Sequence, residues 1–172
     1  MDETIEEIIK LQSQDFRIFR ASSKLVLNDI FSIIDRINNE TEHKSKAEVL
    51  QVFNPNSIIN RFHITSSYMN AVFAEKEHRL GIRSMSFGII IFAALERQLS
   101  AAIEKVGAKD PGKLLVFSNI QDLKYDCLFY KIEDFNPDLK HMIKAAKRMH
   151  IQAGREDEIN LELAGRMQAL KL

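Results

Sequence analysis

Phe16 to Ile37 reads FRIFRASSKLVLNDIFSIIDRI, and the conformation given to these residues decides the fold. Phe16, Phe19, Val26, Ile30, Ile33 and Ile37 alternate spacings of three and four, with Ser23 as the one polar interruption. That is the seam of a heptad helix. Leu25, Leu27, Phe31 and Ile34 widen the stripe, so the helix is expected to pack against several neighbours in a bundle.

The flanking sequence extends the helical reading. No glycine precedes Gly81 and the only prolines are Pro55, Pro111 and Pro137, so residues 1 to 53 can be helical nearly throughout. Thr4 and Glu7 form a capping-box pattern that opens a short first helix with Ile5, Ile8, Ile9 and Leu11. After Asn54-Pro55-Asn56, a third helix fits Ile58, Phe62, Thr65, Met69, Val72 or Phe73, and Leu80, and ends at Gly81. A fourth runs from about Ser84 or Ser86 to Val106. Its first half, FGIIIFAAL from Phe87 to Leu95, is apolar on every side, as a central helix is.

Asp110-Pro111 is a cap followed by proline and predicts a short helix, and Ser118 with Gln121 caps a segment reaching Ile132. The runs LLVF and CLFYKI fit either helix or a small hairpin, and the helical reading is preferred. Pro137 opens a further helix with Leu139, Met142, Ile143, Ala146 and Met149, and Gly154 precedes a last one with Ile159, Leu163 and Met167. The expected architecture is a single all-α domain spanning 1-172, a bundle of about six to eight helices with residues 86-103 at its centre.

A chain of 172 residues has the size of one domain. Lys plus Arg and Asp plus Glu each number 24, so no global field draws the chain to nucleic acid or anionic membrane. The single Cys127 excludes an internal disulfide framework, and the polar opening MDETIEE is no signal peptide, so a cytoplasmic setting is expected. Phe87 to Leu95 is about half of a bilayer span, so no membrane anchor is expected.

Within RINNETEH, Arg36 to His43, an arginine precedes a histidine with six residues between them. Over these eight residues the chain resembles the HEPN ribonucleases, small helical proteins. The resemblance implies an active site formed by such a pair across a dimer interface, with Arg36 on phosphate and His43 moving protons. Ile37 departs from the family, where a polar residue usually follows the arginine. Glu40 with His43 and Glu75 with His78 are Glu-x-x-His pairs, the spacing of ferritin-like di-metal ligands, yet both sit among charged neighbours that read as solvated faces. Cys127 has no Cys-x-x-Cys partner, no glycine-rich phosphate loop is present, and no cofactor is expected. His63, beside Phe62, reads as a partly buried structural histidine.

The most informative charged feature is a basic stripe of Lys140, His141, Lys144, Lys147 and Arg148 at helical spacing, opposite Leu139, Met142, Ala146 and Met149. Residues 138 to 155 carry a local charge of +4 and residues 1 to 43 one of −4, which reads as two complementary faces. No aromatic residue interleaves the stripe as single-strand binders want. The expected function is a non-enzymatic binding or regulatory module that works through protein contacts, as a homo-oligomer. It would use exposed parts of the Phe16 to Ile37 helix or the C-terminal helices. The alternatives are nucleic-acid binding through Lys140 to Arg148 and a HEPN-like ribonuclease with Arg36 and His43.

Overall fold

The computed structural model describes residues 15-42, 48-79 and 84-170. Its fold is mixed α/β, which corrects the all-α helical bundle expected above. Phe16 to Ile37 is the place where the two readings part. Arg17–Ser22 is a strand, β1, and only Leu27–Glu42 is helix, α1. Ser23, the polar interruption of the seam, is the chain reversal between them. Its N–H donates to the Pro111 carbonyl, its Oγ accepts from the Leu25 N–H, and Ser22 Oγ donates to the Gly112 carbonyl.

β1 escapes recognition because both of its faces are covered. Ile18 points into the larger of two cores while its neighbours Phe19 and Ala21 point into the smaller one, so buried residues follow neither a period of two nor one sided against solvent. The remaining strands are β2 (Leu50–Phe53), β3 (Leu114–Ser118) and β4 (Tyr130–Asp134), and the sheet order is β2-β3-β1-β4 with every pairing antiparallel. LLVF therefore lies in β3, where every residue is buried, and CLFYKI divides between a 3-10 turn at Tyr125–Cys127 and β4. The two runs do not pair with each other, because β1 lies between them.

One face of the sheet carries a helical layer. It is built from α2 (Arg61–Lys76), α3 (Met85–Ala94), α4 (Leu99–Val106), α5 (Leu139–Arg148) and α6 (Glu156–Ala169), packed on Ile18, Leu115 and Phe117. The other face is closed by α1, through Ile30 and Ile34, and by the connection that carries Tyr125 and Phe129. The expected central helix at 86-103 is two helices that bend by 69°. Leu95 breaks them apart in the left-handed region, φ 56°, and Glu96 N–H donates back to the Ile91 carbonyl. α3 is nevertheless the apolar centre of the layer, with only Phe87 less than fully buried. Asp110-Pro111 forms a turn rather than a helix, with Asp110 Oδ1 accepting from the Gly112 N–H. The helices after Pro137 and Gly154 form as expected. The expected first helix around Ile5 to Leu11 and the stop at Gly81 lie outside the described residues. No single helix among the described residues is long and apolar enough to cross a membrane.

The outer edge of β2 is closed by side chains. Asn38, on the buried face of α1, donates Nδ2 to the Leu50 carbonyl at 2.9 Å and accepts from the Leu50 N–H at 2.8 Å, as a neighbouring strand would. Gln51 Oε1 accepts from Val52 N–H, and Asn54 N–H donates to the Val106 carbonyl. An edge strand whose outward groups are engaged in this way is a poor template for a further strand. Asparagine is a poor residue for a helix interior, yet α1 runs through Asn38 and Asn39, and Asn38 finds these partners. Asn38→Leu leaves a buried N–H and a buried carbonyl unpaired and is expected to lower the unfolding free energy by about 3 kcal/mol in urea denaturation. The exposed neighbour provides the control, since Asn39→Ala is expected to change it by no more than about 0.5 kcal/mol.

Candidate functional site

Buried polar groups in this fold are spent on holding elements together. Asn60 caps α2, its Oδ1 accepting from the His63 N–H, while its Nδ2 donates to Asn160 Oδ1 at 2.9 Å and so ties α2 to α6. His63 is fully buried, not partly so: Nδ1 accepts from the Ile59 N–H at 3.1 Å, which leaves Nε2 to donate to the Ala93 carbonyl at 2.8 Å. Burial depresses its pKa to about 4, against the pull of the Ala93 carbonyl, so the ring is neutral. Tyr68, edge-on to Phe16 and tilted against Phe117, accepts from Asn119 Nδ2, and burial pushes its hydroxyl up to about 12. Asn119 in turn accepts from the Val49 N–H.

His63 has a measurable consequence. Its pKa is lower folded than unfolded, so the unfolded chain binds the extra proton and stability falls as pH drops through the interval from 6.5 toward 4. The loss is expected to be about 2 kcal/mol between pH 7.5 and pH 5. Chemical denaturation at the two pH values should show this component in the native chain and not in His63→Gln.

The titratable residues singled out in the sequence are otherwise dispersed. Arg36 is exposed on α1, Ile37 beside it packs on the smaller core, and His43 lies outside the described residues, as does the Glu40–His43 pair with it. Glu75 is on the last turn of α2, but His78 lies beyond its end in the left-handed region, φ 53°, so the two do not share a helical face. Among the described residues no three of His, Cys, Asp and Glu converge as a metal site would require.

The basic stripe forms on α5 as its spacing implies, and it is not uniform. Asp138 Oδ1 caps the helix by accepting from the His141 N–H. His141 turns inward, its Nε2 against the Ile58 carbonyl at 2.8 Å and its ring edge-on to Phe135. Arg148 donates Nη1 to the Asn56 carbonyl at 2.8 Å. Lys140, Lys144 and Lys147 are exposed, and none of these four cations forms an ion pair with a described residue. α1, the helix within the acidic 1 to 43 segment, packs on the opposite face of the sheet from α5.

Asn56, which holds Arg148, is also a wall of an open groove of about 410 Å³ over the β1–β4 pair. Arg20 from β1, Lys113 from the loop before β3 and Lys131 from β4 line it against a single carboxylate, Glu133. Arg20 is held over the Phe135 ring at 5.5 Å, and the 110-113 loop is fastened by the bonds from Ser22 and Ser23. Lys140, Lys144 and Arg148 follow one another at intervals of four along α5, so the stripe leads to the groove. Tyr130 stands next to it, with Lys131 Nζ 5.8 Å and Lys24 Nζ 5.9 Å from its ring centroid.

Arg20, Lys113 and Lys131 are more than ninety residues apart along the chain at their widest, and nothing local in the sequence joins them. Only the antiparallel pairing of β1 with β4 and β3 does so. An array of cations that form no ion pair with a described residue, with an exposed aromatic ring at its margin, suits phosphate groups carried on a flexible chain. No known family model matches the chain, and no curated protein sequence matches it.

Proposed function

We propose that the chain is a binding module that holds nucleic acid by its phosphates, in the groove of Arg20, Lys113 and Lys131 and along the α5 stripe that meets it at Arg148. The observation that carries this reading is the convergence, on one face of a chain of zero net charge, of cations from four separate segments around a groove with one carboxylate. Charge concentrated in this way attracts a polyanion locally even where the whole molecule does not. The stripe read from sequence is thereby one arm of a larger face. His141 is not part of that face, because the Ile58 carbonyl holds it inward.

The measurement is the affinity of a labelled oligonucleotide as a function of salt. Binding should weaken linearly in log–log form, and each phosphate contact removed should reduce the slope by about 0.7 to 0.9. Lys113→Glu with Lys131→Glu is expected to weaken binding by about tenfold or more and to flatten the salt dependence. Lys109→Glu, away from the groove lining, is expected to have little effect. Native affinity and slope in the double variant would remove the groove from the reading.

A second reading, self-association through protein contacts, is favoured by a different observation. An apolar cleft of about 210 Å³ lies between α1, α3 and α4 beside β2, and Phe31 and Ile103, 36% and 43% exposed, stand at it. A second copy related by a two-fold axis is the occupant this reading names, since cleft and protruding ring then belong to one self-complementary patch. Sedimentation across concentration should show a dimer that Phe31→Glu dissociates. A native chain that stays monomeric at high concentration would remove it.

A further inference from the structure

We infer that the groove is made for a single strand, with one base lying on the Tyr130 ring while Arg20, Lys113 and Lys131 hold the neighbouring phosphates; this rests on the nucleic-acid reading above and adds the class of strand.

The placement of Tyr130 comes from an irregularity in β4. Glu133 is opposite Arg20 and Tyr130 is opposite Ser22, and the register shifts between those two pairs. Residues three apart on a regular strand face opposite sides of a sheet. Here Lys131 and Ile132 together oppose Ala21, a bulge that brings Tyr130 onto the same face as Glu133, Arg20 and Ser22. Lys131 adopts the left-handed region to make it, φ 51°, a conformation that a lysine pays for and that glycine would adopt freely. The chain keeps a cation there instead, and Lys131 both lines the groove and approaches the Tyr130 ring.

Among the three tyrosines, Tyr130 is the one with a ring to offer. It is 40% exposed, whereas Tyr68 and Tyr125 are 0% and 6% exposed. Two cations lie over this ring, Lys24 Nζ from the β1–α1 turn at 5.9 Å and Lys131 Nζ from the strand itself at 5.8 Å from the centroid, where they can meet the phosphates that flank a stacked base. Stacking on an aromatic ring requires a base that has left its own stack, which a single strand provides and an intact duplex does not. Cations alone would hold both. A ring beside them discriminates, because every base has a face to stack, so the site takes single strands with little regard to sequence.

The test uses the full chain and three probes: a labelled short oligouridine, a blunt duplex of equal length, and heparin as a polyanion without bases. The oligouridine is expected to bind more tightly than the duplex. Tyr130→Ala should weaken oligouridine binding by about tenfold and leave heparin binding unchanged. Tyr130→Phe should keep native oligouridine affinity because the ring remains. Equal affinity for duplex and single strand, or undiminished oligouridine binding by Tyr130→Ala, would overturn the single-strand inference while leaving the cationic groove standing. Failure of both oligouridine and heparin to bind the native chain would overturn the nucleic-acid reading, and this inference with it.

Discussion

The structure depends on burying both faces of the β1–β3 pair. Ile18, Leu115 and Phe117 point to one side and Phe19, Leu114 and Val116 to the other, so each face needs a cover of its own. The helical layer supplies one. α1 and the Tyr125–Phe129 connection supply the other, and the chain must therefore leave β1 by a sharp turn, at Ser22 and Ser23, to place α1 on the side away from α2. An apolar pair of strands enclosed in this way has few polar positions to spare. The cations proposed to bind phosphate accordingly lie where the sheet emerges from its covers, toward the end of β1 and along β4.

The two edges of the sheet are treated differently. β2 is closed by Asn38, Gln51 and the Asn54–Val106 bond. β4 is exposed along its whole length, and it carries a bulge, a lysine and two acids, features that discourage pairing with another strand. The same bulge sets Tyr130 and Lys131 beside the groove. One local departure from regular pairing thus both protects the edge and arranges the surface. The interior shows the complementary pattern: His63, Asn60, Tyr68 and Asn119 are all engaged in bonds between elements, and the neutral state of His63 follows from its burial.

Much of the helical part could be read from sequence, because caps and breakers act locally. Pro137 announces α5, Gly154 precedes α6, and the apolar run at Phe87 is buried as its composition implies. β1 could not be read in the same way. Its buried residues face two cores, and one of them, Phe19, happens with the preceding Phe16 to continue the three-four rhythm of α1 across Ser23. Ser22-Ser23 was the available signal, two small polar residues where a helix would want apolar ones. β3 is buried at every position and β4 exposed at every position, so neither shows the alternation by which strands are recognised. The stripe on α5 was legible as charge, but the bonds that withdraw His141 and orient Arg148 come from a turn eighty or more residues away. The groove, built from β1, the 110-113 loop and β4, had no sequence signature, because long-range strand pairing assembles it.

The most direct test of the cationic groove is a residue-resolved titration. Backbone amide shifts of the isotope-labelled chain would be followed by NMR as a short single-stranded oligonucleotide is added. The account predicts that the largest changes cluster at Arg20, Lys113, Tyr130 and Lys131 and continue to Arg148. Changes centred on Phe31 and Ile103, or no saturable change anywhere, would contradict it.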